Sequence, residues 1–302
     1  MMKLGDPSLD QLRIFLKVAE LGSFGAAARD MARAVSAISY GIAQLEAQLA
    51  VTLFEREGSR KPILTEAGEG LLAEARSITD RVDALLAKTQ SIHAGVETRL
   101  TLVVDAMVPG EVTAHVLRSF RDWYPTVALR LRVEALGAVV SCLIDEDAQL
   151  AIGGPTIGDD PMLEKQAVGS VMLIPVAGPE HPLTQQEIAP GETRNHLQLV
   201  LSDRSSRTQG REFSVLSPLT WRLGDLAAKH SLLREGLGWG NMPRNMVADD
   251  LASGRLVELD LPEDPGAEYD LMALWRRDAQ LGPATHWLID AFRNELARTQ
   301  TD

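Results

Sequence analysis

The sequence predicts an α/β chain in three parts: a winged helix-turn-helix over 6–65, a long linker helix over 66–93, and an α/β domain over 98–302. Three observations predict it. Short apolar helices with small-residue runs crowd the first sixty residues, among them Ser23-Phe24-Gly25-Ala26-Ala27-Ala28 and Ser36-Ala37-Ile38-Ser39-Tyr40-Gly41-Ile42. A single apolar seam then runs unbroken through Leu71, Leu72, Ala75, Ile78, Val82, Leu85, Leu86 and Ile92. From Leu100 onward, short apolar strands alternate with helical stretches, the pattern of a largely parallel sheet with helices on its faces.

Leu9, Leu12, Phe15, Leu16 and Ala19 recur at helical spacing, and Gly22 closes that helix. Ser23 can cap the next helix, which holds Ala26–Ala28 and Met31. After a turn at Arg33–Val35, Ser36 can cap a third helix that buries Ile38, Ile42, Leu45 and Leu49. Val51, Leu53 and Phe54 face Ile63 and Leu64 across Arg56-Glu57-Gly58-Ser59-Arg60-Lys61-Pro62, which reads as a two-stranded wing with a basic tip. Thr65-Glu66 opens the long helix. Its seam, near a 3.5-residue repeat, either packs on its own domain or joins a second copy, and the unbroken run favours the second.

His93-Ala94-Gly95 breaks that helix. Strands follow at 100–104, 127–133 and 149–152, with helices at 112–123 and 136–144 between them. A second unit begins near Val168–Val176. It continues through strands 197–201, 221–223, 240–242 and 256–259 and helices 226–235 and 245–252. A returning strand at 269–275 and a closing helix at 283–298 complete the chain.

Composition narrows the class. With 302 residues, 45% hydrophobic and 24% charged, the chain is an ordinary globular protein with room for two or three domains. The lone Cys142 excludes an internal disulfide and a cysteine-based metal cluster, and it reads as a buried helix residue, since a redox switch normally needs a resolving thiol. The N-terminus carries no charged start followed by an apolar stretch, and no apolar run reaches about 18 residues, so neither a signal peptide nor a membrane span is expected and the cytoplasm is the expected compartment. The net charge of -12 runs against nucleic-acid binding, but it is unevenly placed: residues 1–65 hold 8 Lys+Arg and 7 Asp+Glu, a net of +1. Such a weak electrostatic footprint calls for well-placed phosphate contacts and more than one copy of the module.

A helix-turn-helix sets one polar helix face in the major groove of double-stranded DNA. Ser36, Ala37, Ser39, Tyr40 and Gln44 form that face, with Arg33 in the turn before it. Arg56, Arg60 and Lys61 would meet phosphates from the wing. Ser23 and Thr65 can both cap helices and offer hydroxyls to phosphate.

These residues carry a resemblance. The positions Leu12, Phe15, Val18, Ser23, Ala26–Ala28, Ala37, Ser39, Ile42, Leu45-Glu46, Leu53-Phe54, Arg56, Leu64-Thr65, Ala67 and Gly68 resemble the LysR-type transcriptional regulators. Looser matches continue through Phe120…Tyr124-Pro125, Leu150-Ala151-Ile152, His181-Pro182-Leu183, Gly236-Leu237-Gly238-Trp239-Gly240…Pro243 and Gly254-Arg255-Leu256-Val257, so that the likeness spans Leu9 to Ala297. It implies a homodimer or homotetramer on an interrupted palindrome in promoter DNA, with RNA polymerase as a further candidate partner. It also implies a two-subdomain, periplasmic-binding-protein-like effector domain, with subdomain I over 98–167 and 270–302, subdomain II over 168–269, and a small-molecule effector in the cleft. Two positions depart from the family pattern: Val35 stands where Gln is usual, and Ala50 where Gly is usual. The first removes a base or phosphate contact. The second requires a helix end that avoids the left-handed region or bears modest strain there.

Ligands of open α/β domains lie beyond the carboxyl ends of strands. Those ends supply Asp105, Ala106, Met107, Gly153, Gly154, Ser202, Asp203, Arg204, Gly224 and Asp225 as effector-site candidates. Asp105, where many relatives carry a hydroxyl, either faces a ligand, disfavouring a simple anion, or caps the following helix. Arg204 and Arg207 could hold a carboxylate. The six histidines show no metal-ligand spacing, Gly236–Gly240 follows a helix rather than a strand and so fails as a dinucleotide loop, and no Ser/His/Asp set has motif support. Neither cofactor nor metal nor catalysis is expected. A solute-binding module with a vestigial DNA domain, and an enzyme on the α/β domain, remain as rival readings. Ligand binding without turnover separates the enzyme from the others.

Overall fold

The computed structural model describes residues 6–55, 61–154, 160–202, 205, 207 and 213–299. The chain divides into two compact units, Met1–Gln90 and Ser91–Asp302.

In the first unit, α1 (Leu9–Leu21), α2 (Phe24–Asp30) and α3 (Val35–Leu49) pack on Ile14, Phe15, Val18, Ala27, Ile38 and Leu45. Ser8 and Gln11 cap α1 reciprocally, and it ends at Gly22 in the left-handed region. Ser23 caps α2 through the Ala26 N–H. Ser36 does not cap α3. That helix starts two residues earlier, at Val35, with Ala34 at the cap position and no side-chain hydrogen bond there, which leaves Ser36 exposed in the first turn. At its other end Ala50 takes φ 56° and ψ 34°, so this chain accepts the left-handed strain at the family's usual glycine position. The wing base is present: Phe54 bridges Leu64, the Glu55 N–H meets Ile63, and the Thr65 N–H meets Leu53. Its predicted tip, including Arg56 and Arg60, lies outside the described residues.

α4 (Glu66–His93) buries Gly68, Ala75 and Thr79 but leaves Leu85 62% and Leu86 53% exposed. Those exposures locate the seam on the surface of the single chain beyond its first turns.

The second unit is built on β1 (Arg99–Asp105), α5 (Gly110–Trp123), β2 (Ala128–Glu134), α6 (Gly137–Ile144), β3 (Leu150–Gly153) and β4 (Leu163–Ala177), then β5 (Gln198–Leu201), β6 (Thr220–Leu223), α7 (Leu226–Arg234) and β7 (Trp239–Pro243), and last α8 (Ala248–Ala252), β8 (Val257–Glu258), β9 (Ala267–Arg276) and α9 (Pro283–Thr299). The sheet order is β2-β1-β3-β9-β4-β7-β5-β6, with β8 beside β4. It is mixed, not largely parallel. β1 pairs in parallel with β2 and β3, and β5 with β6 and β7, but β4 and β9 run antiparallel to each other, β9 antiparallel to β3 and β4 antiparallel to β7. The cause is topological. β4 carries the chain out of the first half and β9 brings it back, so the two must run in opposite directions. The predicted helix at 245–252 is a 3₁₀ turn, Arg244–Val247, followed by α8.

β4 and β9 pair along most of their length, with a register shift between Ala167 and Gly169. Gly169 has φ 148°, and a Cβ there would lie 2.9 Å from Leu296 Cβ on α9, so the bulge and the helix both demand glycine. Glu97 fastens α9 from the other side, accepting the N–H groups of Ala284 and Thr285 and the Thr285 hydroxyl. Burial opposes ionisation of Glu97, but these donors hold its carboxyl below the usual range. Among the described residues no helix is long and apolar enough to cross a membrane.

A Cβ on Gly154 would sit 1.9 Å from the Tyr269 ring, whereas one on Gly110 would meet open space. Gly154→Ala therefore forces Tyr269 aside and should cost about 1–3 kcal/mol of overpacking strain or more, while Gly110→Ala stays close to wild type; urea unfolding of the two variants measures the contrast.

Candidate nucleic-acid interface and ligand cavities

α3 buries Ile38, Gly41, Ile42 and Leu45 against α1 and α2, which turns the opposite face outward. On that face Ser36, Ala37, Ser39 and Tyr40 are exposed, Tyr40 by 67%, and Gln44 is half-buried at its edge. A small-residue face with one aromatic and one amide permits close approach to base edges. Lys61 is exposed at the foot of the wing. Ser23 and Thr65 are engaged locally: Ser23 accepts the Ala26 N–H, and Thr65 accepts the Gly68 N–H at 3.0 Å while donating to the Thr52 carbonyl at 2.6 Å.

Several cations of this unit are paired with its own carboxylates. Arg33 grips Asp10 with two hydrogen bonds, 2.7 and 2.8 Å, which raises the guanidinium and lowers the carboxyl in turn. Arg13 pairs with Asp83, and Lys17 with Glu20 and Asp30. A phosphate would have to share Arg33 with Asp10.

In the second unit the predicted strand-end residues part into two groups. Ala106, Ser202, Gly224 and Asp225 come together around a cavity of about 140 Å³, joined by Glu134 and Ala138. Asp225 also caps α7 through the Ala228 N–H. Met107 instead lines a second cavity of about 210 Å³ with Leu136, Leu199, Leu201, Lys229 and Tyr269. Consecutive residues of the same strand ends separate between the two: Ala106 from Met107, Ala135 from Leu136, and Ser202 from Leu201. Asp203 and Arg204 lie outside the described residues, and Arg207 pairs with Asp160.

Asp105 neither caps a helix nor presents its charge to a ligand. The cap position of α5 is Pro109, and Asp105 is 1% exposed. Its carboxylate accepts the Met107 N–H at 2.9 Å, the Tyr269 hydroxyl at 3.0 Å, and the N–H groups of Gly154 and Leu136. Burial pushes its carboxyl up to about 6, against the downward pull of those donors. Gly154, buried beside it, serves this knot, while Gly153 is buried at the end of β3 in register with Met272. Leu136 meets the carboxylate from a strained backbone, φ 51° and ψ -128°, the sort of outlier that a surrounding structure must enforce.

Two family descriptions match the chain: the bacterial regulatory helix-turn-helix protein of the lysR family over residues 9–69, and the LysR substrate binding domain over residues 93–297. The chain belongs to the LysR family of transcriptional regulators. It is similar to the transcriptional activator AllS of Klebsiella pneumoniae, 31% identical over 85% of this chain and 96% of that one. It is also similar to the regulator AceR of Acinetobacter baumannii, 30% identical over 95% and 96%. Among solved structures, an OxyR variant from Corynebacterium glutamicum shares the fold with a TM-score of 0.54 at 21% identity, covering 98% of this chain and 96% of that one. Full-length LysG from the same organism, with its effector arginine bound, gives 0.50 at 21%, covering 96% and 98%.

For a LysR-type regulator, Lys229, Asn241, Gln198 and Leu136 are among the cavity residues to which the sequence pattern alone does not point. Only Lys229 carried a readable signal. It falls between Leu226 and Leu233, on the buried face of α7, where an apolar residue is expected. It is 4% exposed, and its Nζ donates to the Asn241 carbonyl at 2.7 Å. Burial alone pulls its amine down to about 7. Cys142 is buried in α6, and burial raises its thiol, which keeps it unreactive.

The Lys229 shift has a pH consequence. The folded amine binds its proton less tightly than the unfolded one, so the fold bears the full penalty below pH 7 and sheds it as pH rises from about 7 towards the unfolded value of 10.5. Lys229→Met should therefore raise the melting temperature most at pH 6, with the gain shrinking above pH 8. A gain independent of pH would show that packing, not charge, sets the difference.

Proposed function

We propose that this LysR-type regulator binds promoter DNA as a homo-oligomer, reading bases with the exposed face of α3 and responding to a small molecule held at the strand ends of its second unit. The observation that carries the DNA half is the outward face of α3, where Ser36, Ala37, Ser39 and Tyr40 stand exposed above a helix fixed by Ile38, Ile42 and Leu45. Arg33, Gln44, Lys61, Ser23 and Thr65 flank it, and Arg56 and Arg60 extend it by sequence. The effector half rests on two cavities that share the ends of β1, β2 and β5. A ligand there biases the two halves of the unit only through its different affinity for their arrangements.

Oligomerisation is supported by the exposed leucines of α4, since an apolar seam in water calls for a partner. Full-length relatives of known structure share the fold, and LysG was solved with an effector bound. The reading places the protein in the cytoplasm, needs no metal or cofactor, assigns no catalysis, and allows contact with RNA polymerase at a promoter.

A footprint on the DNA upstream of the protein's own gene tests the reading. Wild type should protect two half-sites. Ser39→Ala/Tyr40→Ala should weaken specific binding by about 1–3 kcal/mol per lost base contact while leaving random-sequence binding within twofold. Equal loss on both kinds of DNA would sink the base-reading role. Separately, Leu85→Glu/Leu86→Glu should shift sedimentation towards the monomer mass, because each leucine withdrawn from an interface forfeits about 1.5–3 kcal/mol.

A further inference from the structure

A lysine seldom lies buried without a carboxylate beside it, because removing an ammonium from water is costly unless it is paired and hydrogen-bonded. Lys229 lies at the wall of the cavity of about 210 Å³ with a single hydrogen-bond partner among the described residues, the Asn241 main-chain carbonyl. An ammonium has three N–H bonds, so two are left over. Among the described residues no carboxylate pairs with it, and no nearby charge shifts its titration. The acidic groups of the neighbourhood are otherwise engaged. Asp105 takes its four donors, and Glu268, exposed on β9, accepts from the Ser170 hydroxyl. Of the other polar side chains, the Gln198 amide bridges the Ser214 carbonyl and the Leu216 and Ser217 N–H groups, the Tyr269 hydroxyl is turned to Asp105, and the Asn241 amide nitrogen donates to Asp264 while its Oδ1 is buried without a hydrogen-bond partner among the described residues. Met107, Leu136, Leu173, Leu199 and Leu201 make the apolar part of the wall, which Ser214 and the exposed Glu268 also line.

This arrangement presents one buried amine, with two N–H bonds to spare, in a largely apolar chamber. A cationic ligand would meet a like charge. A neutral ligand without an acceptor would leave the spare N–H bonds of the amine unpaired. A phosphate would bring a second charge with no partner in the wall. Size narrows the class further. A dry cavity of about 150 Å³ accepts benzene, so about 210 Å³ leaves space for a ring or short branched chain and one carboxylate. Drug-sized ligands and nucleotides need pockets of about 300 Å³ and upwards.

We propose that the Lys229 amine selects a small monocarboxylate with an apolar or aromatic body as the ligand of this cavity, its two remaining N–H bonds meeting the carboxylate oxygens. The proposal rests on the reading that the second unit takes a small-molecule effector. It reverses the charge preference that Asp105 suggested from sequence, because Asp105 is sealed in its own hydrogen bonds and Lys229 is the buried ionisable group at the cavity wall.

Titration calorimetry on the full-length protein, with probes matched in shape and different in charge, tests this. The probes are benzoate, benzamide, benzylamine and phenyl phosphate, and the aliphatic pair isovalerate and isovaleramide. Wild type should bind at least one carboxylate tenfold or more tighter than its amide and than the amine or phosphate of the same body. Lys229→Met should abolish that preference while still binding the matched amide, which shows that the variant's cavity is intact. A carboxylate preference that survives in Lys229→Met overturns the role of the amine. Binding of an amide, the amine or the phosphate as tightly as the carboxylate overturns the ligand class yet leaves the cavity a ligand site. Failure of every probe to bind overturns both the proposal and the assignment of an effector to this cavity.

Discussion

The second unit is organised around one buried carboxylate. Asp105, at the end of β1, receives donors from its own loop, from the turn after β2, from the end of β3 and from the Tyr269 side chain on β9. Burying a charge is costly unless its lone pairs are filled, and here each donor comes from a different part of the fold. The bond is therefore positional: it fixes where these chain segments end relative to one another. Leu136 holds an unfavourable backbone conformation beside it, and Gly154 gives up a side chain to let the Tyr269 ring approach. The residues immediately after these strand ends line the cavities, so the carboxylate sets the cavity walls without facing into them.

In the first unit, electrostatics restrain a basic surface. Arg13, Lys17 and Arg33 are paired with Asp83, with Glu20 and Asp30, and with Asp10. Exposed pairs of this kind add little stability, about 0–1 kcal/mol each. Their larger effect is to lower the local positive potential, which weakens attraction to any polyanion and shifts the burden of recognition to short-range contacts from α3.

Much of this was legible in the residues. Period-3.6 patterns located α1 and α3 because each buries a single stripe, a near-3.5-residue repeat marked α4, and Ser23 and Thr65 announced the helices they cap. Ser36 misled, since a hydroxyl at the start of a helix reads the same whether it stands at the cap or one turn inside. The strands were visible as apolar runs, but their direction was not: β4 and β9 look like any buried strand, and only the chain's exit and return make them antiparallel. Asp105 was found for the wrong reason. Its position at a strand end is a local property, whereas its partners Gly154 and Tyr269 are far away in sequence. Lys229 was readable as a charge on an apolar stripe, and what it faces was not, because the cavity is assembled from several separated segments.

The long pairing of β4 with β9 also defines what kind of motion the second unit can make. Two hydrogen-bonded strands form a ribbon that resists stretching and in-plane shear, since either would break a row of backbone bonds, but it can twist and coil at small cost. The bulge at Gly169 interrupts the row at one point and seats it against Leu296 of α9. The sheet's two wings are thus mounted on a torsion bar with a marked soft spot, and a change of angle between them is a twist of this ribbon.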